Sequence, residues 1–335
     1  MIKNWIHSQE IRRWQRDNNR TVLPFEWGLD CLGISENGLS PRQHMHKYAA
    51  SAIGDSKRFF TAPPTSEYAL KGEWLSFPSA IATPTIENNT CYGRLLQVAS
   101  KGRAVIVLPQ WNADPDGHLA LCRFLNRFGL TTLRLSMPYH DRRKPPTMER
   151  AEYMVSANVG RTIQSSRQAI LDVRRSADWL IKQGYDKLAI LGTSIGSSVG
   201  FIAFAHDERF RTGVFNHVSS YFADVVWTGL TTQHVRKGLE RAIDLDELRK
   251  FWSIISPYPF VERVAGDRQV LMISGKYDLS FLPHLSQELF AECRRLSLSN
   301  FKVALLPCGH YTLGNFPFNY IAALRMVRHL LKNLA

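Results

Sequence analysis

Leu188-Ala189-Ile190-Leu191-Gly192-Thr193-Ser194-Ile195-Gly196 is the stretch on which the reading of this chain turns. Four consecutive apolar residues suit a strand buried on both faces. A turn of small residues follows, and then a helical pattern to about residue 206. A strand that passes straight into a helix must turn sharply. Glycines two before and two after the turning residue let the two elements come close. The Ser194 hydroxyl then projects beyond the sheet, and the next backbone N–H points at the same space. A second match overlaps the first, Gly196-Ser197-Ser198-Val199-Gly200, but no strand directly precedes it. Ser198 is therefore read as a packing residue, and Ser194 as the candidate nucleophile.

Outward from this turn, strand and helix alternate. Ala104-Val105-Ile106-Val107-Leu108 is another doubly buried strand. Helical spacing follows over about residues 116–128 (Leu119, Cys122, Leu125, Phe128), closed by Gly129. Residues 130–135 and 188–191 are strands. Between them lies a helix over about 161–183, expected to bury Ile163, Ile170, Val173, Ala177, Leu180 and Ile181. Strands at 212–215, 270–274 and 303–306 come next, the last two followed by helices near 284–296 and 317–333. This order predicts an α/β fold, with a mostly parallel central sheet, helices on both faces and right-handed crossovers. Residues 66–100 read as short antiparallel edge strands. Residues 41–60 read as a helix, with Ser40 as N-cap and Pro41 in the first turn. Residues 1–65 then form an N-terminal helical and irregular extension, and 66–335 the main domain. A stretch of about 221–262 breaks the rhythm, with Leu245, Leu248, Trp252 and Ile255 at helical spacing. It is read as an inserted helical cap near the carboxyl ends of the strands, where such sheets bind ligands.

A serine hydroxyl is a weak nucleophile until a base takes its proton, and the base needs an acid to orient it. Gly275-Lys276-Tyr277-Asp278 follows one strand and Pro307-Cys308-Gly309-His310-Tyr311 follows the next. Both loops fall at the same end of the sheet as Ser194, which makes Asp278 and His310 the expected acid and base. Asp224 is the rival acid. His217, His234 and His284 are rival bases, and His217 precedes Asp278, against the order Ser, acid, His. The developing oxyanion needs two donors. Ile195 N–H is one. The loop Pro109-Gln110-Trp111-Asn112-Ala113 should supply the other, from Trp111 N–H or, second, Gln110. Tyr139, Tyr221 and Tyr277 are candidates for an apolar pocket, with Phe222, Trp227, Trp252 and Phe281 in the same loops. His44-Met45-His46 has no suitable carboxylate nearby in sequence, so no metal and no cofactor are expected.

Composition narrows the class. The 335 residues are 44% hydrophobic and 21% charged, a folding composition. No apolar run approaches the ~18 residues of a membrane span. The N-terminus lacks the apolar core of a secretory signal. Five cysteines at irregular spacing, with no Cys-x-x-Cys, suggest neither a disulfide framework nor a zinc site. A cytoplasmic location is the expectation. The charge of +13 is dispersed along the chain and resembles no nucleic-acid module. A solvated basic face is the first reading, and peripheral contact with an anionic membrane surface the sharper one. Oligomeric state is not legible.

The strand–turn–helix at Gly192-Thr193-Ser194-Ile195-Gly196, with Asp278 and His310 downstream, resembles the α/β-hydrolase superfamily of serine esterases and lipases over about residues 90–335. Pro138-Tyr139-His140-Asp141-Arg142-Arg143-Lys144-Pro145 and the Ser219 segment resemble its abhydrolase-domain-eighteen-like branch, with acetyl xylan esterase-like proteins as neighbours. The resemblance implies hydrolysis of a carboxylic ester, small-molecule or lipid, through an acyl-serine intermediate and without a cofactor. Esterases often carry His-Gly after the strand that ends at Leu108, and this chain does not. An acyltransferase using the same serine, or a non-catalytic binding protein on the same fold, are the rival classes.

Overall fold

In the computed structural model, which describes residues 2–35, 38–99 and 102–335, three helices lead into the sheet: α1 (Ile2–Arg16), α2 (Pro41–Gly54) and α3 (Ser56–Phe59). Ser40 and Gln43 form a reciprocal cap on α2, each side chain accepting from the other's backbone N–H. The helix expected over 41–60 divides at Asp55, whose carboxylate accepts from Arg58 N and starts α3.

The strands are β1 (Ala69–Lys71), β2 (Trp74–Pro78), β3 (Thr90–Leu96), β4 (Arg103–Leu108), β5 (Thr131–Leu135), β6 (Lys187–Thr193), β7 (Phe210–Asn216), β8 (Gln269–Gly275) and β9 (Phe301–Leu306). They form one sheet in the order β1-β2-β3-β5-β4-β6-β7-β8-β9. β1, β2 and β3 pair antiparallel, and β3 joins β5 antiparallel. From β5 to β9 every pairing is parallel. The helices α4 (Leu119–Asn126), α5 (Val159–Lys182), α6 (Ile195–His206), α10 (Pro283–Arg295) and α11 (Phe318–Asn333) cover its faces, with α7 (Phe222–Thr228), α8 (Gln233–Leu239) and α9 (Leu245–Phe251) between β7 and β8. This is the expected α/β architecture.

The apolar runs are explained by burial on both sides. Ala104, Ile106 and Leu108 of β4 and Leu188 and Ile190 of β6 face a core shared with α5 and α6. Val105, Val107, Ala189 and Leu191 face a second core with α4 and α11. The strands therefore lose the polar alternation of a half-exposed sheet. Ile181 departs from expectation and is 43% exposed. It lies one residue, about 100° of helical turn, past the buried Leu180, and so leaves the inward stripe.

The 52 residues between β7 and β8 (217–268) are largely helical. Phe222, Val226, Val235, Leu239, Leu248, Phe251 and Trp252 are buried in the core they share with α5 and α6. Trp252 Nε1 donates to Val159 O at 3.1 Å. The aromatics Phe222 and Trp252 are thus packing residues. No helix among the described residues is long and apolar enough to cross a membrane.

Candidate active site

β6 ends at Thr193 and α6 begins at Ile195, so Ser194 alone makes the turn. Its φ of 58° and ψ of −124° are costly for a side-chain-bearing residue. Surrounding bonds fix that conformation. Ser194 N donates to Asn216 O at 2.8 Å, and Ser197 Oγ donates to Ser194 O at 2.6 Å and His217 O at 3.0 Å. The flanking glycines are required by space. A Cβ on Gly192 would lie 2.0 Å from Gly196 O, and one on Gly196 2.5 Å from Leu108 O.

The structure brings Asp278 and His310 to this turn. His310 Nε2 is 3.1 Å from Ser194 Oγ, and His310 Nδ1 is 3.0 Å from Asp278 Oδ2. Asp278 Oδ1 accepts from Ser280 N at 2.7 Å and Phe281 N at 2.8 Å. The geometry assigns the proton to Nδ1, which donates to the carboxylate and leaves Nε2 to accept from the serine. Phe281 stacks on the imidazole at 5.2 Å. Burial disfavours the His310 cation, but the Asp278 charge and hydrogen bond outweigh it and raise the pKa above 6.5. Burial likewise pushes the Asp278 carboxyl up, and the two neighbouring imidazoles more than offset that, holding it well below its usual range.

The second imidazole belongs to His217. Expected only as a rival base, it lies with Nδ1 2.8 Å from the same Asp278 Oδ2, its ring 4.4 Å from that of His310. Burial and the adjacent His310 lower its pKa, which favours its neutral form. His217, Asp278 and His310 also have the spacing of a metal-ligand cluster. In that cluster the Asp278 oxygen already lies between two imidazole nitrogens.

The other rivals lie elsewhere. Asp224 is paired with Arg249 at 2.6 Å. Ser198 is buried inside α6. His234 Nε2 is 3.2 Å from Glu152 Oε2. His46 of the His-x-His lies 3.8 Å from Glu247.

Ile195 N–H and Trp111 N–H donate to no other group among the described residues. The loop around Trp111 is held from below by the segment after β5. Asn112 N donates to His140 Nε2 at 2.8 Å, and His140 Nδ1 donates to Pro138 O at 2.8 Å. Burial lowers the His140 pKa to about 4, which keeps Nε2 an acceptor. Asn112 Oδ1 accepts from Ala151 N, while Trp111 Nε1 donates to Ala151 O at 2.9 Å. The Trp111 ring stacks on His234 of α8 at 5.7 Å. Arg134 is ion-paired with Asp141 and donates to Asp114 O and Gly117 O. Residues 138–143 therefore brace the loop after β4.

A cavity of about 750 Å³ opens on Ser194, His310 and Trp111. Its apolar wall is made of Leu121 and Phe124 of α4 with Leu313, Ala323 and Met326. Arg13, Asp17, Arg20 and Arg150 also line it. The three expected pocket tyrosines do not line it. Tyr139 is 2% exposed and packs edge-on against Tyr153. Tyr221 stacks on Tyr258. Tyr277 lines a separate, smaller cavity with Lys276 and Gln287. Loop position alone does not say to which side a tyrosine turns. Sequence reading also missed His118, which lines the cavity, with Nε2 3.0 Å from Thr193 Oγ1. Burial and the Arg134 charge lower its pKa to about 4.

No protein-family model matches the sequence, and no curated protein does. Solved structures do match. Acetyl xylan esterase 1 from a Thermoanaerobacterium species is 14% identical, with 87% of this chain and 94% of that one covered and a TM-score of 0.61. An acetyl xylan esterase from a Paenibacillus species is 13% identical, over 88% and 96%, with a TM-score of 0.58. An esterase from Pyrococcus furiosus is 14% identical, over 95% and 100%, with a TM-score of 0.55. Identity this low speaks to architecture, and on it, with the sheet order and the turn at Ser194, the chain has the α/β-hydrolase fold.

Proposed function

We propose that this chain is a serine hydrolase of carboxylic esters, acting from the 66–335 domain with residues 221–262 as an insertion. One observation carries the reading: a single imidazole bridges a strained serine at 3.1 Å and a buried carboxylate at 3.0 Å. His310 Nε2 takes the Ser194 proton as Oγ attacks the acyl carbon. Ile195 N–H and Trp111 N–H stabilise the oxyanion. His310 then protonates the leaving alkoxide, and the C–O bond breaks to leave acyl-Ser194. Water, deprotonated by the same imidazole, attacks the acyl carbon, and the serine leaves with the returned proton. Asp278 holds the tautomer and stabilises the imidazolium. The three neighbours described above are named esterases, which agrees with this chemistry, and acylaminoacyl peptidases also stand among the structural neighbours.

A fluorophosphonate probe followed by peptide mapping tests the reading. The expected adduct is on Ser194, absent in Ser194→Ala and slowed in His310→Ala. An adduct on Ser198, or none on the folded protein, overturns it.

The cavity supports a lipid-like or other medium-length acyl ester as substrate. Its apolar wall offers a surface for an acyl chain longer than acetyl. Across p-nitrophenyl esters from acetate to decanoate, kcat/KM is expected to rise at least about fiftyfold to an optimum beyond four carbons, at roughly 0.8 kcal/mol per buried methylene until the wall is filled. A steady decline from acetate onward would remove the acyl-wall assignment.

A further inference from the structure

We infer that Glu10, on the N-terminal helix outside the sheet, is a positioning residue that fixes the His310 loop. This rests on the hydrolase reading above. Glu10 is fully buried. Burying a carboxylate is unfavourable without compensation, and the usual partner is a cation. Glu10 takes part in none of the ion pairs among the described residues. Its two oxygens serve the loop instead: Oε2 accepts from Tyr311 N at 2.9 Å and Oε1 from Thr312 N at 2.8 Å. Both are hydrogen bonds to a charged acceptor, the stronger kind.

The residues on either side of His310 are thereby tied down. Gly309 N donates to Thr312 Oγ1 at 2.7 Å. Arg13, one turn along α1, donates to Tyr311 O at 2.8 Å and also to Asn315 Oδ1. Ile6 and Glu10 are the buried residues of this 15-residue helix. Its attachment is therefore largely polar and directed at the histidine loop. Gly309 completes the fit. A Cβ there would lie 2.5 Å from Glu10 Cδ and 2.6 Å from Oε1. The glycine before the histidine is thus explained by the carboxylate that occupies its side-chain space.

Glu10 also contributes charge. The titratable groups facing His310 are Asp278 after β8, His217 after β7 and Glu10 on α1. Arg13, Asp17, Arg20, Arg150 and His118 lie around the cavity. Asp278 and Glu10 both favour the imidazolium. The active form is the neutral imidazole, so activity is present above the raised His310 pKa and lost as pH falls through it. In the wild type that acid limb is expected above pH 6.5.

The test uses the full chain with Glu10→Gln, Glu10→Ala, Gly309→Ala and the Glu10→Ala/Gly309→Ala double variant. Steady-state kinetics on a p-nitrophenyl ester are read beside an NMR titration of the His310 ring. Glutamine keeps one acceptor oxygen and removes the charge. Glu10→Gln is expected to lower kcat about tenfold, a misplacement smaller than the ~1 Å that costs about a hundredfold, with KM within about twofold. The His310 pKa and the acid limb should move down together. Gly309→Ala should lower kcat in the wild type but add no further loss when Glu10 is already alanine. Wild-type kcat and an unmoved His310 pKa in folded Glu10→Gln overturn the inference. So does additive loss in the double variant. If Glu10→Ala does not fold, Glu10→Gln still decides through the ring titration. If the wild type hydrolyses no ester and takes no fluorophosphonate, the hydrolase reading fails by itself, while the titration still reports whether Glu10 and His310 are coupled.

Discussion

Ser194→Ala is expected to lower kcat/KM for an activated ester on the order of 10⁵-fold, with His310→Ala close behind and the double variant no worse than either single one. The reason is the shared proton. With the hydroxyl gone, His310 has nothing to deprotonate for attack. With the imidazole gone, a serine oxygen at neutral pH stays protonated and weak. Each loss removes the same step, so the two free energies do not add. Asp278→Asn should cost about 10⁴-fold, because an amide in that place favours the wrong His310 tautomer. That variant also removes the carboxylate charge 2.8 Å from His217 Nδ1. Ser198→Ala, inside α6, should stay within about twofold of wild type. The measurement is steady-state hydrolysis with the active fraction counted by probe labelling. A Ser194→Ala protein within a hundredfold of wild type would mean that attack comes from another group. Additive losses in the double variant would mean that serine and histidine act in different steps.

What could be read beforehand divides along physical lines. The strands were legible because burial on both faces removes polar alternation, as in Ala104 to Leu108. The Ser194 turn was legible because Gly192 and Gly196 are dictated by contacts of 2.0 and 2.5 Å that allow no Cβ. Asp278 and His310 were legible because parallel strands deliver their following loops to one edge. Side-chain direction within a loop has no such rule. Tyr139 turns into the core and Tyr277 into a neighbouring cavity, although both stand beside expected site loops. Glu10 was illegible for a different reason. It meets Tyr311 across 301 residues of chain, and a single glutamate in a basic helix carries no periodic signal. Residues 138–145 form an intermediate case. Their pattern was visible as a motif, but their work is done through His140 on Asn112 N and through Arg143, neither of which touches Ser194.

Arg143→Ala is expected to destabilise the fold by about 3–5 kcal/mol, the range for breaking a buried ion pair from one side. Arg143 is fully buried, with its guanidinium 2.9 Å from Asp172 Oδ2. It also donates to Ser136 O at 3.0 Å, to Asn88 O at 3.1 Å and to Asn88 Oδ1 at 3.2 Å. Alanine leaves the Asp172 charge and these acceptors in a space with little water to replace the donor. The damage should extend to the site. Asn88 Oδ1 also accepts from Tyr139 N, and the next residue, His140, holds the loop that carries Trp111. Surviving folded protein should therefore also lose kcat. Arg142→Ala is the control one residue away. Arg142 is exposed and its guanidinium lies over the Trp74 ring at 4.0 Å, an arrangement worth about 0.5–1 kcal/mol. Urea unfolding should show the Arg143→Ala midpoint lowered with an unchanged slope, and the Arg142→Ala midpoint nearly unmoved. The double change Arg143→Ala/Asp172→Ala should cost less than the sum of its parts, because the stranded charge leaves with its partner. Equal midpoints for the two single variants would show that the bracing of the Trp111 loop does not run through Arg143. The hold on that loop would then fall to His140 and Ala151, with Arg134 and Asp141.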